Sequence, residues 1–216
     1  MLVDPKILEG LRKVQEGIGN RVILEDRTPS RIRTIGGLDI AYSKEYGYAC
    51  VVVLDYETFR VIEKKVIKTK IDFPYVSTFL SFREAPSVIN VYRMLEKEPD
   101  VIMVNGHGII HPVRAGLASH VGVMLEKPSI GVAQNKLVGE FKVPSELGDF
   151  NQITFEGSQI GWVLKTMEGF GHIFISPGHK VSLERSLGIT KHCIRENKLP
   201  EPIRIAHYFA EKEAHD

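Results

Sequence analysis

The chain has 216 residues, 43% hydrophobic and 25% charged, a balance that suits a folded globular protein and is too apolar for a disordered one. Its 28 basic residues nearly cancel its 27 acidic ones, and a net charge of +1 excludes a global pull toward phosphate backbones, so any nucleic-acid contact has to be local. Only Cys50 and Cys193 occur, with no spacing suited to zinc or a disulfide framework, and no apolar run nears the roughly 20 residues of a membrane span, which predicts a protein of the reducing cytoplasm.

A chain of this size buries roughly 70% of its extended surface on folding, enough core for one domain over 1–216. Asp4 reads as an N-cap and Pro5 as the first helical position, with Leu8, Leu11 and Val14 at helical spacing behind them, so the chain opens on a peripheral helix. Apolar, β-branched stretches at about 32–42, 48–55 and 59–68, divided by Lys44-Glu45 and Glu57-Thr58, predict an antiparallel meander. Val88, Val91, Tyr92 and Leu95 then recur at helical spacing behind Pro86, which suits a first-turn position. A strand at 101–104, a helix at about 114–126 and a strand at 129–133 follow in the rhythm of parallel pairing. Segments 160–166 and 172–175 add a strand pair, and helices near 183–196 and 203–213 close the chain. The fold class is α/β: a mixed sheet of three antiparallel strands followed by parallel ones, flanked by helices.

Asp39 interrupts the apolar run IGGLDIAY in what should be a buried central strand, and burying a lone carboxylate is expensive. Alone it reads equally well as a strand-end Asp bonded to backbone amides or paired with an Arg. The segment NGHGIIHP at 105–112 follows a strand directly and packs glycines and histidines into a turn. Ligands collect at such strand ends, glycines let backbone approach a substrate, and helix N-termini attract phosphate. Glu84, in SFREAP, suits a capping role near a helix start without excluding metal binding, and His207 sits on a helix beside Ile203 and Ala206. Gathered at one sheet edge, such oxygen donors would suffice for magnesium, which takes a few carboxylates plus water and substrate phosphate.

The blocks GGLDIAYS at 36–43, PYVSTFLSFRE at 74–84 and VNGHGIIHPVRAGLASHVGV at 104–123 resemble the signature blocks of the endonuclease V family. PSIGVAQNKLVGEF at 128–141, SPGHKVSLERS at 176–186 and LPEPIRIAH at 199–207 extend the match in order over most of the chain. The resemblance implies a ribonuclease H-like fold and hydrolysis of a phosphodiester 3′ to a deaminated base, chiefly hypoxanthine, in inosine-containing DNA or RNA. It implies Mg2+, with Mn2+ as substitute, held by Asp39, Glu84 and Asn105, and His207 near the attacking water or metal. Tyr75 would be a wedge filling the gap left by an extruded base. The pocket would be lined by backbone near Gly106, Gly108 and Gly116, with Ser119 and His120 close by and Thr78, His111, Gln134 and Lys136 as further substrate contacts. The protein is expected to act as a monomer without membrane association.

Asn105 stands where the family carries an aspartate, and it brings a carbonyl oxygen without negative charge, which weakens metal affinity and water activation. Gln134 stands where the family usually has a lysine, so a cation near the reacting phosphate is missing unless Lys136 reaches in. Ser77-Thr78 replaces the usual Pro-Gly and puts a side chain where glycine leaves room. These departures leave a second reading, a catalytically weakened or inactive homologue that binds damaged or structured nucleic acid. A third, an unrelated α/β enzyme using His107 or His111 as general base, rests on the turn alone.

Overall fold

The structure, a computed structural model, describes residues 3–215. A single sheet of eight strands runs in the order β3-β2-β1-β4-β5-β8-β7-β6. Its first part is the expected meander: β1 (Thr34–Ser43), β2 (Tyr46–Asp55) and β3 (Val61–Lys70) pair antiparallel. The next strands, β4 (Val101–Asn105) and β5 (Ser129–Ala133), join β1 in parallel. β8 (Ile173–His179), β7 (Ser158–Leu164) and β6 (Phe150–Phe155) complete the far side antiparallel. The sequence does not announce β6; FNQITF is polar at its centre and mostly solvent-facing, as an edge strand can be, so it carries little apolar periodicity.

Helices cover both faces. Ile203, Ala206, Ala210 and Ala214 of α5 (Glu201–His215) and Leu187 and Ile189 of α4 (Leu183–His192) pack on Ile35, Cys50, Val52, Met103 and Ile130. Ala85, Val88 and Val91 of α2 (Leu80–Tyr92) and Leu117, Ala118 and Val121 of α3 (Leu117–Leu125) pack on Leu38, Val51 and Ile102. β1 is therefore buried on both faces, which explains its unbroken apolar run. The opening helix, α1 (Pro5–Asn20), forms as expected: Asp4 Oδ1 accepts from the Lys6 N–H at 2.8 Å, and Ile18 packs with Ala115 and Val123.

Three expectations need correction. Pro86 lies inside α2 rather than in its first turn, because the helix begins at Leu80 and is held by burial of Ser81, Glu84, Ala85 and Val88 on the sheet. Glu84 is consequently not a cap; it lies within the helix, and its carboxylate accepts from Tyr42 instead. The last α4 turn stops at His192, short of 196, and among the described residues no helix is long and apolar enough to cross a membrane.

Candidate functional site

The site forms where β4 ends against the middle of β1. Their parallel register sets Leu38 beside Val104, so the next residues, Asp39 and Asn105, are neighbours facing the same way. Asn105 Nδ2 donates to Asp39 Oδ1 at 2.8 Å. From α5, His207 Nδ1 donates to Asp39 Oδ2 at 2.7 Å, which assigns the hydrogen to Nδ1 because a carboxylate only accepts. That bond raises the His207 pKa above its ordinary value, against partial burial and with the Asp39 charge adding to it. Asp39 is 6% exposed, while the His207 side chain stays 48% exposed at the rim.

The approach of α5 depends on Gly37, since a Cβ there would run into the Pro202 carbonyl. Further along β1 on the same face, Asp39 stands opposite Cys50. Glu84 comes from the other face. Tyr42 OH donates to its Oε1 at 2.6 Å, and Arg83 Nε donates to the Tyr42 oxygen at 3.2 Å. Burial pushes Glu84 up to about 7, with the Tyr42 bond opposing and the charge of nearby Asp39 adding to the rise. The three oxygen-bearing side chains anticipated from sequence thus fall into a directly bonded pair, Asp39 and Asn105, and a third, Glu84, coupled to Asp39 through its field.

Beside this edge lies a cleft of about 290 Å3, bordered by Asn105, Gly106, His107, His111, Gly116 and Lys136, with Tyr75 and Thr78 at one side and Gln134 at the other. Tyr75 is 71% exposed, which leaves its ring free of core packing. Gly108, Ser119 and His120 lie behind the lining: Gly108 packs against the Pro177 carbonyl, Ser119 is fully buried, and His120 meets the edge of Phe82. Burial lowers both His107 and His111 to about 4, so each is neutral at pH 7. His111 Nδ1 accepts from the Val113 and Ala115 N–H groups while Nε2 donates to the Thr78 carbonyl, which leaves no lone pair for a general base.

Gln134 Oε1 accepts from Lys198 Nζ at 3.0 Å, whereas Lys136 turns toward the Phe141 ring, 5.9 Å from its centroid. Lys198 thus adds a cation beside Gln134, while Lys136 borders the cleft itself. Sequence reasoning misses Lys198 because it lies in the loop before α5, far from Gln134 in the chain; it also passes over Tyr42 and Arg83, although both stand inside recognised blocks. The signal for these two is an aromatic and a basic side chain set close to acidic ones.

A mixed sheet that gathers an acidic residue from its first strand with residues from its fourth and from the closing helix defines a ribonuclease H-like fold carrying a nuclease-type site. The sequence profile of the endonuclease V family matches residues 16–208, and the chain belongs to that family. It is 39% identical over 204 residues to the endonuclease V of Thermofilum pendens, covering 94% of this chain and 87% of that one. The Bacillus subtilis endonuclease V structure superposes with a TM-score of 0.90 at 35% identity, covering 96% of this chain and 92% of its own. That of Ciona intestinalis, solved with a 24-mer DNA containing an inosine followed by a ribo-adenosine, gives 0.86 at 27% identity, covering 98% and 99%.

Proposed function

We propose that this endonuclease depends on a divalent cation and cuts the phosphodiester 3′ to a deaminated base, one nucleotide beyond an inosine in DNA or RNA. The observation that carries the reading is the Asp39 carboxylate, buried yet bonded to Asn105 and His207, beside a cleft flanked by an exposed Tyr75. A buried carboxylate within a central strand, bonded on both oxygens by side chains from other elements, is more than packing requires.

The donor set suits a hard cation: two carboxylates, Asp39 and Glu84, and the Asn105 amide, which can present its oxygen in place of its nitrogen. Among the described residues no three His, Cys, Asp or Glu side chains stand together as a metal cluster, so the set relies on that amide oxygen and on the substrate's own phosphate. Magnesium or manganese held there would offset charge on the scissile phosphate and favour deprotonation of water. Asp39 orients His207 through Nδ1, leaving Nε2 as the atom that takes or gives a proton. Tyr75 would stack in the gap left by the extruded base, and the glycine-bordered cleft would receive that base. We place the protein in the cytoplasm as a monomer, a setting in keeping with its two buried, free thiols.

The test is a strand carrying one inosine, end-labelled, incubated with Mg2+ or Mn2+ and compared with the adenosine strand and with chelator. The reading predicts a single cut 3′ to inosine that needs the cation and is lost in Asp39→Ala; no cut at any protein concentration would reject it. The second reading, binding without cleavage, is favoured by one observation, the Asn105 amide nitrogen seated on Asp39. It predicts retention of the inosine strand with no product.

A further inference from the structure

The arm 73–79 carries Tyr75 between two anchors. At its start, Arg83 Nη1 donates to the Phe73 carbonyl at 2.6 Å. At its end the contacts converge on Thr78, whose φ of 68° lies in the left-handed region that a β-branched residue avoids. Arg12 Nη2 donates to Thr78 Oγ1 at 2.9 Å and Gln15 Nε2 donates to the Thr78 carbonyl at 2.6 Å, both from α1. His111 Nε2 donates to the same carbonyl at 2.8 Å. Gln15 is fully buried, and the Arg12 guanidinium lies 4.6 Å from the centroid of the Phe79 ring.

A buried amide and a part-buried guanidinium on a peripheral helix lose free energy unless they find partners. Thr78 supplies a partner to Arg12 Nη2 and Gln15 Nε2, while Arg12 Nη1 and Gln15 Oε1 find none among the described residues, and in return the unfavourable backbone geometry of Thr78 is held from two sides. Without these bonds the arm would have to be ordered each time a strand bound, and that entropy would be subtracted from affinity.

We propose that α1 is a positioning clamp: Arg12 and Gln15, working against His111, lock Thr78 and so set where Tyr75 stands over the cleft. The inference deepens the reading of Tyr75 as a wedge and rests on it for its effect on substrate. Arg12 and Gln15 are not among the residues bordering the cleft, so they act through the arm.

The experiment uses the full chain with Arg12→Ala, Thr78→Ala, their double variant and Thr78→Ser, read by amide hydrogen exchange over the arm and by KM and kcat on the inosine strand. Arm exchange should rise about tenfold in Arg12→Ala and in Thr78→Ala with the sheet unchanged, and Thr78→Ser should recover protection because it keeps the hydroxyl. KM should rise about fivefold in Arg12→Ala with kcat within about twofold, since uniform binding and not the chemical step is touched. The double variant should be no worse than the weaker single, because both remove one bond. Multiplying effects in the double variant, or arm exchange that does not change, would overturn the clamp. If the parent chain leaves the inosine strand uncut, the substrate reading fails, while arm exchange still decides the clamp.

Discussion

Asn105 concentrates the chemistry of the site in one amide. It bonds Asp39 as an acid at the same position could do only when protonated, so the pair is stable as it stands while the site has one negative charge fewer for a cation. Asn105→Asp should therefore raise the Mg2+-dependent nicking rate by at least about tenfold and lower chain stability in the absence of the ion, since a second carboxylate then faces the buried Asp39. Nicking rates and denaturation midpoints with and without Mg2+ check both halves. His111 makes a second prediction. Burial, with the Arg12 charge adding and the Thr78 bond opposing, lowers it from 6.5 to about 4, so the folded chain favours the neutral ring. Its contribution is complete above pH 6.5 and is lost as pH falls from there toward about 4, on the order of 3 kcal/mol when lost entirely. Thermal unfolding between pH 7 and 4 should show a falling midpoint, with a shallower slope in His111→Gln; an unchanged slope would mean the ring is not held neutral.

Among the elements, α5 decides whether the site exists, because it delivers His207, and Gly37 decides where α5 lies. Gly37→Ala puts a methyl into the Pro202 backbone, which should cost about 1–3 kcal/mol of stability and break the His207 to Asp39 bond, with nicking lost more than stability alone explains. Gly17→Ala in α1 meets open space, so it should instead stabilise by about 0.5–1 kcal/mol and leave nicking alone. Chemical denaturation and the nicking assay on both variants compare them. Strands are readable where both faces are buried, as in β1, β2 and β5, since only a strand covered by helices on either side favours an unbroken β-branched run of that length. The start of α2 is read too late because Pro86 is a helix-start signal locally, and only the sheet beneath it, through Ala85, Val88 and Val91, overrides that preference. β6 is invisible because an exposed edge strand need not alternate.

At the scale of the molecule, the candidate site is assembled from strands, a closing helix and loops that are distant in sequence, and this sets how much of it is legible in the chain alone. Asp39 is legible because it breaks an apolar run, and Glu84 and His207 because each stands inside a long recognisable block. Lys198 and the clamp of Arg12, Gln15 and His111 on Thr78 are not, because their partners are separated by 33 to 66 positions and no local pattern announces them.

That Asp39, Glu84 and Asn105 share one cation is the claim on which the rest stands, and manganese titration of the full chain, followed by the loss of the free-ion paramagnetic signal, addresses it without reference to any substrate. One saturable site should appear in the parent chain, weaken at least about tenfold in Asp39→Asn and tighten in Asn105→Asp. Binding that is absent from both the parent and Asn105→Asp, or that is unaffected by Asp39→Asn, would contradict it.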